Sequence, residues 1–195
     1  MPQDPLELDL AMRAAKVAWE RYPYLALRYG ERGRRFTDSD SCWLVTLARA
    51  PNKAAVTKAL EWLRTVLASR GIPTVILEFH LLAIADEFAG QTNVQVQFDQ
   101  FLSDREAERR ELFGAEGWSH LIDAFDQRFR TCAGFDIQSA AELIASAWVD
   151  ERSGIVRAVP ALRDWLTDAG RFSADWIANV GDMLAELDHM RVQAT

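Results

Sequence analysis

The chain has 195 residues, a mass of 22.0 kDa and 49% hydrophobic residues, which predicts one globular domain covering residues 1–195. Its 10 glycines and 6 prolines exclude a collagen-like or linker-rich chain. The 22 lysine and arginine residues are outnumbered by 29 aspartate and glutamate residues, giving a net charge of −7. This acidic balance argues against nucleic acid and against a membrane surface as partners.

Sequence features indicate a cytoplasmic protein with reduced thiols. The first residues lack a basic region followed by an apolar run, as a secretory signal would have. The most apolar stretch, residues 72–85, is too short to span a bilayer and contains Glu78 and His80. Cys42 and Cys132 lie ninety positions apart without the spacing of a zinc site, and one long-range disulfide is the alternative to two free thiols.

The first helix is predicted over residues 5–21. Asp4 is a capping residue, Pro5 fits the first helical turn, and Pro23 prevents the helix from continuing. Residues 22–36 predict a short apolar piece followed by a loop rich in glycine and arginine.

Two more helices are predicted before residue 71. Residues 37–40 are all N-cap types and predict the start of a helix that ends near Pro51. Another helix begins around Asn52, and Gly71 is typical of the left-handed residue that follows a helix. Its apolar stripe consists of Val56, Leu60, Leu63 and Leu67.

Residues 73–88 are apolar nearly all round, which is typical of a helix buried at the centre of a domain. A buried strand over residues 74–79 is the alternative, since Val75 and Ile76 are β-branched. The length of the apolar stretch favours the helix.

The second half of the chain predicts further helices. Val94, Val96 and Phe98 alternate briefly like a strand before helical spacing returns. Asp136 and Ser173 are predicted N-caps. The apolar helical positions include Leu121, Phe125 and Phe129, then Ile144 and Trp148, then Val159, Leu162 and Leu166, and finally Ile177, Val180, Leu184 and Leu187. The predicted fold is all-α, a compact single-domain orthogonal bundle of about eight or nine helices.

His80 and its neighbour Phe79 form the first candidate site. An imidazole on a buried helix is a typical axial ligand of haem iron. The alternative is a core histidine hydrogen-bonded to a carboxylate or backbone carbonyl, because a single histidine has no ligand spacing to test. Trp43 and Trp62 complete this candidate set for an apolar or tetrapyrrole ligand, and the sequence leaves the cofactor unknown.

The second candidate site is the arginine-rich loop predicted at residues 28–35, with Tyr24 and Tyr29 nearby. Its candidate anion-binding residues are Arg28, Arg32, Arg34 and Arg35. Arginine forks bind phosphate or carboxylate, and the free N–H groups of the predicted helix start at residues 37–41 favour an anion. The glycines do not have P-loop spacing. The alternative is pairing of these arginines with acidic groups of the same chain.

Tryptophan occurs seven times, and large aromatic residues are enriched at interfaces and ligand pockets as well as in cores. Three lie on predicted apolar stripes and three beside them: Trp43, Trp118 and Trp148, and then Trp62, Trp165 and Trp176. Core packing competes with a partner surface as the role of this set.

No acid, base, nucleophile or metal-ligand set converges in the sequence. Glu186 and His189 have half of a di-iron spacing, but no second pair exists and a solvated surface is expected. The leading hypothesis is therefore a non-catalytic cytoplasmic helical module that binds or regulates a protein partner, or forms a homo-oligomer.

Two other classes of function remain open. One is a sensor or carrier of an apolar or haem-like ligand near His80. The other is a helical enzyme that acts on an anionic small molecule at residues 28–35.

Overall fold

The computed structural model of the protein describes residues 2, 4–90, 98–132 and 137–193, with side chains described up to residue 190. These residues form eight α-helices and no strand, which confirms the predicted all-α bundle. The helices are α1 (Pro5–Arg21), α2 (Pro23–Ala48), α3 (Lys53–Ala68), α4 (Thr74–Phe88), α5 (Asp99–Arg130), α6 (Ala140–Arg152), α7 (Ala158–Leu166) and α8 (Ala174–Gln193). The predictions at Val94, Val96 and Asp136 lie outside the described residues. None of these helices is long and apolar enough to cross a bilayer.

The chain divides into two compact units. Unit 1 comprises residues 1–63 and 76–104, and unit 2 comprises residues 64–75 and 105–195. Unit 1 therefore holds α1, α2 and most of α4, whereas unit 2 holds α6, α7, α8 and most of α5. The organisation of residues 1–195 as a single domain stays a prediction.

Helix α1 begins and ends where the sequence predicts. The Leu6 N–H donates to Asp4 Oδ1 at 2.9 Å, and the helix ends at Arg21, before Pro23. Glu7 is buried and pairs with Arg49. The buried face is mostly alanine, which lets α2 pack closely: Leu10, Ala11, Ala14, Ala15 and Ala18.

The loop predicted around residues 28–35 is wrong, as is the helix start predicted at residues 37–40. Both stretches lie inside α2, whose helical conformation is interrupted only at Gly30 (φ 54°, ψ −152°). Glycine adopts this conformation without the Cβ clash of other residues, so the break occupies a single position. Arginine is a good helix former, and the helix resumes at once. Thr37 then bonds its hydroxyl to the Gly33 carbonyl at 3.2 Å, as an interior helical threonine does.

Helix α3 and helix α4 are joined by a turn that confirms the prediction at Gly71. Gly71 has φ 84°, and the Ile72 N–H donates to the Leu67 carbonyl at 3.0 Å. Residues 74–79 are helical, so the helix prediction for this stretch is confirmed and the strand alternative is wrong. Most of α4 is buried around its circumference, as its apolar composition predicts.

Unit 2 is organised around α6, which is buried along most of its length and packs against α7 and α8. Ser173 caps α8 as predicted, accepting the Trp176 N–H at 3.2 Å. The fully buried stripe of α8 consists of Trp176, Val180, Met183 and Leu187. Trp176 therefore lies on this stripe, and the sequence-based position beside it is wrong.

Candidate functional site

The exposed apolar side chains of this protein are concentrated in unit 1. Within the described residues, eight of the nine large apolar side chains that are exposed belong to this unit. They are Leu6, Leu8, Val17, Leu27, Phe36, Trp43, Trp62 and Leu82. Single exposed apolar residues are normal on any protein, so the arrangement of the largest ones decides whether they form a surface.

Two of the aromatic residues lie on one face of α2. Phe36 is 58% exposed and Trp43 is 38% exposed. They are seven positions apart, which is two helical turns, so both side chains project from the same side of the helix. Arg32 lies one turn before Phe36, with its guanidinium carbon 5.7 Å from the Phe36 ring centroid. We call the surface formed by Arg32, Arg35, Phe36 and Trp43 the α2 face.

The remainder of α2 explains why these residues face outward. Ser41, Leu44, Val45 and Ala48 are buried and lie on the other side of the helix. The α2 face is thus the side of an amphipathic helix that its own unit does not cover. Trp43, which the sequence analysis places on an apolar stripe, lies on this exposed side instead.

Asp40 lies at the edge of the α2 face, one turn after Phe36 and one turn before Trp43. Its side chain is half-buried, and this burial raises the pKa of the carboxyl to about 6. Asp38 differs, since it accepts the Arg34 Nε–H at 3.2 Å. The α2 face therefore combines aromatic rings and guanidinium groups, and the carboxyl at its edge is less acidic than usual.

The candidate anion-binding arginines have three different settings in α2. Arg28 donates to the Tyr24 hydroxyl and lies against the Tyr24 and Tyr29 rings. Arg34 is held by the Asp38 carboxylate four residues later. Arg32 and Arg35 are exposed. The four arginines therefore lie on a helix, where the sequence predicted a loop, and their role in binding an anion stays a prediction.

The candidate apolar-ligand residues also have different settings. Trp62 is 62% exposed on α3 and Trp43 is exposed on α2. Phe79 is half-buried with its ring edge-on to Tyr22 at 5.9 Å, and His80 is buried. His80 Nε2 forms a hydrogen bond with the Ser41 hydroxyl, whereas the core alternative predicted from the sequence named a carboxylate or a backbone carbonyl as the partner. The haem interpretation stays a prediction, and coordination through Nε2 would require His80 to release Ser41.

Stability at acid pH reports directly on His80. Burial lowers the pKa of its imidazole from 6.5 to about 4, so the unfolded chain takes up the proton first as the pH falls. The contribution of His80 to the free energy of unfolding is therefore expected to decrease as the pH falls from about 6.5 to about 4. The His80 contribution is complete above this window and is on the order of 3 kcal/mol at most. Urea unfolding at several pH values measures it.

Comparison between variants isolates the His80 effect. Asp40 acts in the opposite direction, because a carboxyl with a raised pKa loses its stabilising effect as the pH rises towards 6. Relative to the wild type, His80→Asn is expected to lose the part of the stability that rises between pH 4 and 6.5, which leaves the opposite slope of Asp40, whereas the exposed His120→Asn is expected to keep the wild-type profile. Identical profiles for His80→Asn and the wild type would contradict a neutral buried imidazole.

Unit 2 contains a buried polar network that was not predicted from the sequence. Asp150 is fully buried on α6 and accepts the Arg64 Nε–H at 3.1 Å and the Thr74 N–H at 2.9 Å. Ser146, one turn earlier on α6, accepts the Val75 N–H at 3.0 Å. Two side chains of α6 thus cap the first N–H groups of α4, which have no partner within their own helix.

Arg64 joins this network to a further helix. Its Nη2 atom lies 3.0 Å from Glu108 Oε2 on α5 and 2.9 Å from Ser153 Oγ. The sequence signals were an arginine at the edge of an apolar stripe in α3 and a serine and an aspartate four residues apart in the otherwise apolar residues 143–150 of α6. Because Arg64 and Asp150 are buried, we assign the network to structure.

The described residues contain no group of three or more histidine, cysteine, aspartate or glutamate side chains that could hold a metal ion. A small apolar crevice in unit 2, lined by residues of α6, α7 and α8 that include Ile144, Leu162 and Val180, has room for about one water molecule. The α2 face is therefore the best-defined candidate surface in the described part of the chain. No protein-family model, no curated protein and no solved structure matches this chain.

Proposed function

We propose that this protein is a cytoplasmic helical module that acts by binding a protein partner through the α2 face. The observation that carries the proposal is the exposure of Phe36 and Trp43 on the same side of one helix. Packing these two rings against a partner would remove apolar surface from water, which favours binding. Aromatic and arginine residues also contribute most of the binding energy in many protein interfaces. The free thiols of Cys42 and Cys132 support a reducing compartment.

Site-specific photo-crosslinking tests this proposal whatever the identity of the partner. The photoreactive amino acid benzoylphenylalanine replaces Phe36 in one variant and Trp43 in another, which keeps an aromatic group at each position. After irradiation in the cells that make the protein, both variants are expected to give an adduct of higher mass.

A control position tests whether crosslinking is specific to the α2 face or occurs at any exposed residue. Glu116 on α5 has a side chain that is 80% exposed, and the same photoreactive residue at this position is expected to give no such adduct. Adducts of equal yield at residues 36, 43 and 116, or no adduct at residues 36 and 43, would reject the α2 face as the binding surface.

A further inference from the structure

We propose that the α2 face binds an acidic, apolar segment of a partner protein, an inference that rests on the proposed function. The surface combines two exposed rings with two exposed guanidinium groups within four helical turns. A segment that carries both carboxylate and apolar side chains complements it in charge and in polarity.

The charges of the α2 face come from Arg32 and Arg35. Within the described part of the chain, neither guanidinium forms an ion pair with a carboxylate, whereas Arg34 between them is paired with Asp38. Arg32 lies over the Phe36 ring, which restricts the arginine and places its charge beside the apolar group. Planar guanidinium groups bind carboxylates through two parallel hydrogen bonds, so acidic side chains are their best-matched protein ligands.

Asp40 sets the orientation of the bound segment. It lies between Phe36 and Trp43, one turn from each, and a carboxylate facing it would be repelled. The acidic groups of the partner are therefore expected opposite Arg32 and Arg35, with apolar side chains opposite Trp43. A partner segment that binds the α2 face is therefore expected to have its acidic residues in one half of its sequence and its apolar residues in the other.

The observations favour a protein segment over nucleic acid or lipid. The whole chain has a net charge of −7, which opposes approach of a polyanion. Affinity for nucleic acid comes largely from many phosphate contacts along the backbone, and the α2 face offers two free guanidinium groups. Tryptophan and arginine are, in contrast, the residue types most enriched at the energetic centres of protein interfaces.

Two labelled peptide probes test this inference on the full chain. Both are amphipathic helices with the same leucine-rich face, one flanked by glutamate and the other by lysine. Fluorescence anisotropy is expected to show at least tenfold tighter binding of the glutamate peptide. In the variant Arg32→Glu/Arg35→Glu this preference is expected to reverse. Arg110→Glu, a charge reversal at another exposed helical arginine, is the matched control and is expected to keep the preference.

Each other outcome overturns the inference. Equal affinities, no binding of either peptide, or an unchanged preference after charge reversal at residues 32 and 35 would show that the α2 face does not select acidic segments. Stronger binding of polyuridine or of phosphatidylserine vesicles than of the glutamate peptide would assign the arginines to another polyanion. Crosslinking at residues 36 and 43 depends on none of these probes, so adducts there without a charge preference would leave the proposed function standing.

Discussion

Replacing Asp150 with alanine is expected to lower the free energy of unfolding by about 3–5 kcal/mol. The substitution leaves the guanidinium of Arg64 buried without its fully buried carboxylate partner, and it removes the acceptor of the Thr74 N–H at the start of α4. Burial raises the pKa of Asp150, and Arg64 and Thr74 act against this effect because they stabilise the charged carboxylate. Urea denaturation followed by tryptophan fluorescence measures the loss.

Two further variants distinguish the stability that the buried network contributes from the general effect of replacing an aspartate. Asp164 lies on α7, is exposed and pairs with Arg163, so Asp164→Ala is expected to change stability by less than about 0.5 kcal/mol. The double variant Arg64→Met/Asp150→Leu removes both buried charges and is expected to be less destabilised than the sum of its single variants. Equal losses for Asp150→Ala and Asp164→Ala would show that the buried pair does not hold the start of α4.

This network shows a limit of sequence-based prediction. Arg64 and Asp150 are 86 positions apart, and nothing local to either residue specifies the other. Periodicity identifies the helices because each apolar stripe is a local property of about four turns. A pairing between side chains of different helices depends on how those helices pack, which a single sequence does not state.

The error at residues 28–40 has a different physical cause. Glycine, arginine and N-cap residues are typical of loops, and the sequence therefore predicted a loop and a new helix start. In the structure Gly30 takes up the whole change of direction, and helical propensity decides the conformation of its neighbours. The N-cap preference of aspartate and serine predicted the helix starts at Asp4 and Ser173 correctly, because a helix follows each of these residues but none immediately precedes it.

The candidate site was only partly predictable from the sequence. The sequence singled out Arg32, Arg35 and Trp43, and it placed Trp62 correctly outside the apolar stripe. It did not single out Phe36, because a lone phenylalanine beside charged residues is normally covered by another part of the chain. Only the packing of α2 shows that Phe36 and Trp43 share its uncovered side.

Sequence periodicity can place the buried side of a helix one residue away from its true position. In α8 it predicted Ile177 on the buried stripe and Trp176 beside it, but Trp176 is the buried residue. Trp176→Ala is expected to lower the free energy of unfolding by about 3–5 kcal/mol. The indole is 1% exposed, stacks on Phe172 with 5.2 Å between ring centroids, and donates from Nε1 to the Leu166 carbonyl at 3.1 Å. This carbonyl belongs to the last residue of α7, where helical carbonyls have no partner within their own helix.

Trp62→Ala provides the matched control, because it deletes the same side chain at a position that is 62% exposed. It is expected to change the free energy of unfolding by less than about 1 kcal/mol. Trp176→Phe keeps an aromatic ring but loses the bond to Leu166, so a loss of about 1–2 kcal/mol is expected for the hydrogen bond. The order Trp176→Ala, Trp176→Phe, Trp62→Ala in urea denaturation would follow from the burial of Trp176 and its hydrogen bond to Leu166. Similar losses for the two alanine variants would instead mean that Trp62 is covered in solution, as it would be if unit 1 bound a partner or a second copy through α3.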